Sequence, residues 1–146
     1  MQQMSYEQFV PDAAGLDEVG RKLAKRLQGG DTCYLQGPLG AGKTTLVRGV
    51  LRGLGHCGPV PSPTYTLIES YFFSDVRVVH FDLFRIESLH ELEVLGVREY
   101  FDDDTICLLE WPDRGDGLLP APTLMITLQY ESDGRRVTIY DAAKDV

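Results

Sequence analysis

The sequence predicts an α/β fold, a mixed sheet with a parallel core and antiparallel additions, flanked by helices. Three observations predict it. A glycine-rich segment, Gly37 to Thr44, stands between a short apolar run (Cys33 to Gln36) and a run of helical character (Thr45 to Leu51). Thr105-Ile106-Cys107-Leu108-Leu109 is almost purely apolar, the pattern of a central strand covered on both faces. Short β-rich runs are punctuated by turn residues before and after these segments. The 146 residues suffice for one such domain with a sizeable core and are too few for two, so one domain over residues 1–146 is expected.

Taken in order, Ser5 to Val10 reads as an opening strand with weak alternation. Leu16, Val19, Leu23 and Leu27 recur at helical spacing, and Gly29-Gly30 stops that helix. The strand at Cys33 to Gln36 feeds the glycine-rich loop, and the helix behind the loop ends near Gly53-Leu54-Gly55. Pro59 to Thr64 carries three prolines and cannot be helix, because each restricts the residue before it. Tyr65 to Phe73 and Val76 to Phe81 read as strands of an antiparallel hairpin turning at Ser74-Asp75. Leu89, Leu92, Leu95 and Tyr100 suggest a short helical region. Asp102-Asp103-Asp104 is a turn and cap before the apolar strand. Leu124 to Leu128 and Arg136 to Ile139 are later strands around the turn Ser132-Asp133-Gly134.

The composition excludes several functions. Lysine plus arginine is 14 and aspartate plus glutamate 22, a formal net charge of −8. So acidic a chain is not expected to be itself the main binder of nucleic acid or an anionic membrane. The charge permits docking on a basic patch of a partner, and solubility alone explains it at least as well. No apolar run is long enough to span a membrane, and the segment Met1 to Glu7 lacks a basic region followed by an apolar stretch, so no secretion signal is expected. Cys33, Cys57 and Cys107 are an odd set with no C-x-x-C pair, which fits a reducing cytoplasm. Cys33 and Cys107 sit in strand runs as small core residues. His56-Cys57 is half of a metal motif with nothing nearby to complete it, and a plain loop is expected there.

Gly37, Pro38, Leu39, Gly40, Ala41, Gly42, Lys43 and Thr44 form a complete G-x-x-x-x-G-K-T loop, the Walker A pattern. Its glycines let the backbone curl so that N–H groups point at phosphate oxygens. Lys43 reaches the β- and γ-phosphates, Thr44 offers a hydroxyl to Mg²⁺, and Thr45 joins the same nucleotide-contacting set. The loop opens a helix, whose unpaired N–H groups and dipole favour an anion. The context between strand and helix weighs against a chance glycine-rich turn. The fold is thus of the P-loop NTPase type, with a nucleoside triphosphate and Mg²⁺ as its expected ligands.

Two carboxylates end apolar strand runs, Asp82 after Val78 to Phe81 and Glu110 after Ile106 to Leu109. Strand carboxyl ends are where open α/β sheets collect ligands, and an acid there is the usual partner of a P-loop metal. The competing reading of each is a solvated residue where a strand meets water. Thr64 and Thr66 lie where many P-loop proteins carry a switch threonine, although turn chemistry explains them equally well. Trp111, the only tryptophan, follows Glu110 and sits beside the nucleotide, on a partner, or in the core. Arg85 and Arg114 are cations able to offset phosphate charge or to rest in solvent or ion pairs.

Four blocks in order, Gly37 to Thr44, Ser62-Pro63-Thr64-Tyr65-Thr66-Leu67, His80-Phe81-Asp82-Leu83-Phe84-Arg85 and Leu109-Glu110-Trp111-Pro112-Asp113-Arg114, resemble the TsaE family (formerly YjeE). Glu91 to Gly96 and Leu119-Pro120 extend the resemblance over most of the chain. It implies a slow ATPase that serves the making of threonylcarbamoyladenosine in tRNA. The partners it implies are TsaB and TsaD, with hydrolysis resetting their assembly and tRNA engaged only indirectly. It also implies that Thr44 and Glu110 hold Mg²⁺, that Asp82 is the second essential acid near metal and water, that the Thr64 region is the switch, and that Trp111 lies close to the site. No membrane is implied, and weak self-association is left open. Phe84 stands where the family commonly has tyrosine, which removes any hydroxyl role there. Asp12-Ala13-Ala14-Gly15 stands where the family often has a threonine near the adenine, so no adenine-contacting residue is assigned.

Two functional classes compete with this ATPase subunit. One is a small-molecule kinase using the same loop, against which stand the lack of an arginine-rich lid segment and the little chain left for an acceptor pocket. The other is a nucleotide-gated binding module with incidental hydrolysis, against which stand the two strand-end acids.

Overall fold

The computed structural model describes residues 3–63 and 66–141, residues 3–5 by their backbone. Seven strands form one sheet: β1 (Gln3–Val10), β2 (Thr32–Gln36), β3 (Ile68–Phe72), β4 (Arg77–Asp82), β5 (Thr105–Glu110), β6 (Leu124–Glu131) and β7 (Gly134–Asp141). Their order is β1-β7-β6-β2-β5-β4-β3. The four inner strands β6, β2, β5 and β4 run parallel. β3 pairs antiparallel with β4 at one edge, and β7 and β1 add antiparallel strands at the other. The expected mixed sheet is therefore present, its parallel core framed by hairpins.

Helices α1 (Ala13–Ala24) and α2 (Lys43–Gly53) pack on each other over one face, while α3 (Leu89–Val94) and a 3₁₀ turn at Val97–Tyr100 cover the other. Asp12 caps α1 by accepting from the Gly15 N–H at 3.0 Å. α3 is seated by Glu91, whose carboxylate accepts from the backbone N–H groups of Glu87 and Ser88. Between Asp102 and Asp104 the turn closes as expected: the Asp102 carboxylate accepts from Thr105 Oγ1 at 2.7 Å and the Asp104 N–H at 3.0 Å.

The strand period of two divides the core. Val78 of β4 and Ile106 and Leu108 of β5 join the core beneath α1 and α2, whereas Val79, Phe81, Cys107 and Leu109 join the core beneath α3. By the same parity His80, Asp82 and Glu110 fall on the α2 face. Asp82 and Glu110 are directly paired across β4 and β5, so both acids arrive together at the end of the sheet where α2 begins. Cys33 and Cys107 are buried, and Cys57 is exposed. Burial pushes the Cys107 thiol up to about 12 and the Cys33 thiol higher still.

The third strand begins at Ile68, three residues later than the pattern of β-rich residues suggests, and Tyr65 lies outside the described residues. Leu67 has a positive φ of 70° and its N–H bonds the Pro63 carbonyl at 2.7 Å, so the chain is still turning there. His56 packs edge-on against Tyr71, and its Nε2 lies 3.1 Å from the Pro59 carbonyl. Among the described residues no helix is long and apolar enough to cross a membrane.

Candidate functional site

The P-loop leaves β2 at Gly37, whose φ is +153°. A Cβ at that position would stand 2.7 Å from the Leu128 carbonyl oxygen of β6, so only glycine lets the loop start this close to its neighbour. The loop then curls through residues 38–42 and enters α2 at Lys43. It opens onto a cleft of about 410 Å³ lined by Leu39, Gly40, Gly42, Lys43, Thr44, Thr45, Asp82, Phe84, Arg85, Glu110 and Trp111.

The polar groups in this cleft are joined. Thr44 Oγ1 donates to Glu110 Oε2 at 3.1 Å, and His80 Nε2 lies 2.6 Å from the same oxygen. Glu110 is 4% exposed and His80 is fully buried. An ionised carboxylate only accepts, so the proton of this contact sits on His80 Nε2. A buried carboxylate requires such partners, since leaving it bare costs several kcal/mol. Asp82 is also buried, and its Oδ1 accepts from the Phe84 N–H at 3.1 Å. Thr44, Glu110 and Asp82 form a set of hard oxygen donors that suits Mg²⁺.

Lys43 is the buried cation of the cleft. Its Nζ donates to the Gly37 carbonyl at 2.5 Å and lies 3.9 Å from the centre of the Trp111 ring. Burial pulls its ammonium below the usual value, while Glu110, Asp82 and Asp113 pull it back up. Trp111 reaches this position because its backbone adopts φ 59° and ψ 52°, an uncommon left-handed turn for a bulky residue immediately after β5. Its indole also tilts against Phe84 at 5.0 Å. The ring is thus a wall of the cleft that also packs against the core beneath α3.

The structure gathers Lys43, Thr44, Thr45, Asp82, Glu110 and Trp111 around one cleft, with Leu39, Gly40 and Gly42 on its rim. Ala41 is buried behind the loop and Gly37 and Pro38 lead into it. Arg85 lines the cleft, whereas the Arg114 guanidinium lies 5.5 Å from the Phe84 ring centre. Of the two switch residues, Thr64 lies outside the described residues. Thr66 is exposed, donates to Glu69 Oε1 at 2.9 Å, and does not line the cleft.

Sequence reasoning missed His80, although its place two residues before Asp82 on one strand marks it as facing the same way. It also missed a second hollow of about 250 Å³ on the other side of the loop. Pro11, Asp12, Leu16, Asp133 and Arg135 line it together with Gly40 to Gly42 and Thr45.

A strand, P-loop and helix at the centre of a mixed sheet, with acids ending the next two strands on one side, β5 and β4, define a P-loop NTPase-like domain. The family described as "Threonylcarbamoyl adenosine biosynthesis protein TsaE" matches residues 10–138. The chain belongs to the TsaE family. It is 44% identical over 140 residues to the tRNA threonylcarbamoyladenosine biosynthesis protein TsaE of Haemophilus influenzae, covering 92% of this chain and 89% of that protein. The Bacillus subtilis protein of the same name is 34% identical over 142 residues, 97% of this chain and 87% of its own length. The crystal structure of Bacillus subtilis YdiB superposes with a TM-score of 0.83 at 27% identity, covering 99% of this chain and 90% of that one.

Proposed function

We propose that this chain binds ATP with Mg²⁺ in the 410 Å³ cleft and hydrolyses it slowly. In this reading it is a cytoplasmic subunit of the assembly that installs threonylcarbamoyl on adenosine of tRNA. TsaB and TsaD are its partners, hydrolysis resets their assembly, and tRNA is engaged only through them. Family membership supports the pathway. The observation that carries the chemistry is the Thr44 hydroxyl held 3.1 Å from the Glu110 carboxylate, beside Lys43 at the mouth of α2.

Thr44, Glu110 and Asp82 would hold the metal. Bound there, Mg²⁺ would supply positive charge that offsets the charge of the phosphates. The chain's own residues do the rest. The loop amides and the N-terminus of α2 receive phosphate oxygens, and Lys43 exchanges the Gly37 carbonyl for a phosphate oxygen. Asp82 or Glu110 positions the attacking water. His80 holds Glu110 Oε2 in place, so the carboxylate presents itself in one orientation. Trp111 and Phe84 form an apolar wall that limits water around the Lys43 ammonium.

The test is phosphate release from MgATP by the protein alone and with purified TsaB and TsaD. Strong stimulation by the pair is expected. An unchanged rate beside an active pair would overturn the assembly role in favour of phosphoryl transfer to a metabolite.

A further inference from the structure

Three backbone carbonyls of the P-loop are gripped from outside by one hairpin. Tyr130 Oη donates to the Leu39 carbonyl at 2.9 Å. Arg135 Nε donates to the Ala41 carbonyl at 3.0 Å, and its Nη2 to the Gly40 carbonyl at 3.4 Å. The two side chains support each other, with the guanidinium 4.2 Å from the Tyr130 ring centre. The sheet register explains how they arrive. β6 pairs with β2 only from Leu124 to Thr127, and its last residues run on past the end of β2, alongside the loop. The remaining loop carbonyls are engaged from within: Gly37 by Lys43, Pro38 by the Ala41 N–H, and Gly42 by the Leu46 N–H.

A trans peptide points its C=O and the following N–H in opposite directions, and the chain has no cis peptide among the described residues. Turning the Leu39 and Ala41 carbonyls outward therefore turns the Gly40 and Gly42 N–H groups inward, toward the cleft. We propose that Tyr130 and Arg135 are positioning residues that hold the P-loop in its anion-receiving form before any ligand arrives. The hairpin is then a working part of the site. Without it, binding must supply the ordering of a glycine-rich loop, and affinity falls accordingly.

This inference rests on the nucleotide-binding reading, and the experiment separates the two. MgADP and Mg-tripolyphosphate, which has no base or ribose, are titrated calorimetrically into wild type, Arg135→Met, Arg135→Lys, Tyr130→Phe and Arg136→Met. Arg135→Met is expected to weaken both ligands roughly tenfold, and Tyr130→Phe about threefold, since it loses one hydroxyl and keeps the ring under Arg135. Arg135→Lys recovers part of the loss because an ammonium can serve one carbonyl. Arg136→Met leaves both ligands unchanged, its side chain being paired with Glu131 on the same hairpin. Amide exchange at Gly40 and Gly42 quickens in Arg135→Met without ligand. If Arg135→Met does not fold, Tyr130→Phe decides alone. Wild-type affinity for tripolyphosphate in the folded variants overturns the proposal, since a loss confined to MgADP belongs to base or ribose contacts. An equal loss in Arg136→Met overturns it too. A wild-type chain that binds neither ligand overturns the nucleotide reading and this one with it.

Discussion

The two walls around the P-loop are built on opposite plans. The inner wall, the ends of β4 and β5, is buried: Asp82, Glu110 and fully buried His80 stand on adjacent strands in direct register. The outer wall is the β6–β7 hairpin, where Tyr130 is 54% exposed and yet bonds the loop. The inner wall presents side-chain chemistry to the cleft, and the outer wall addresses only backbone. A buried acid must be exact in its partners because each unmet bond is costly. A solvent-facing brace holds shape through charge-assisted contacts to carbonyls and is cheap to keep wet. Chemistry and shape are thereby assigned to different strands of one sheet.

The largest effect should come from the inner wall. Glu110→Ala is expected to lower ATP hydrolysis by about 10²–10³-fold while changing nucleotide affinity only a few-fold, read by phosphate release and calorimetry. Lys43→Ala is expected to weaken triphosphate binding by roughly a hundredfold, since it removes the buried ammonium at the base of the loop. Equal losses of affinity in both variants would break the separation between the acid that acts and the cation that binds.

The loop between the two walls runs straight into α2, and Thr44 of that helix bonds Glu110, so a shift of α2 should disturb the site between them. A Cβ at Gly49 would meet the Asp17 carbonyl oxygen of α1 at 2.3 Å. Gly49→Ala should therefore cost about 2 kcal/mol of stability, read by urea unfolding, because backbone cannot step aside as a side chain can. An unaltered midpoint would show that α1 and α2 slide freely.

The smallest test probes the dryness of the sheet below the site. Burial raises the Cys33 and Cys107 thiols far above neutrality, and Cys57 is exposed. At pH 8 a thiol reagent should label one cysteine in the native protein and three in urea, because the thiolate is the reactive form. Two or more native labels would mean that water reaches the strands beneath the site.

The inner wall was legible in the sequence because its signals are local. The G-x-x-x-x-G-K-T spacing, the apolar run before Glu110 and the β-rich run before Asp82 each reside within ten residues, and strand parity does the rest. His80 obeys the same parity, but within a strand run it has the pattern of any other inward-facing residue. The outer wall was not legible. Tyr130 and Arg135 meet the loop across 91 and 94 residues of chain, and their place depends on the offset of β6 beside β2, which no local pattern encodes. The strand ending at Phe72 was found with the wrong start, because Tyr65 to Leu67 have β-forming side chains while Leu67 turns at positive φ.

The order of the sheet also has a consequence for synthesis. β2 and its loop leave the ribosome early, yet β6, the strand beside them, begins only at Leu124, and β1 has no neighbour but β7. For most of translation the glycine-rich segment is an open chain next to an incomplete sheet. The loop's surroundings are complete only once β6 and β7 have joined the sheet, and pairings so distant in sequence are slow to form.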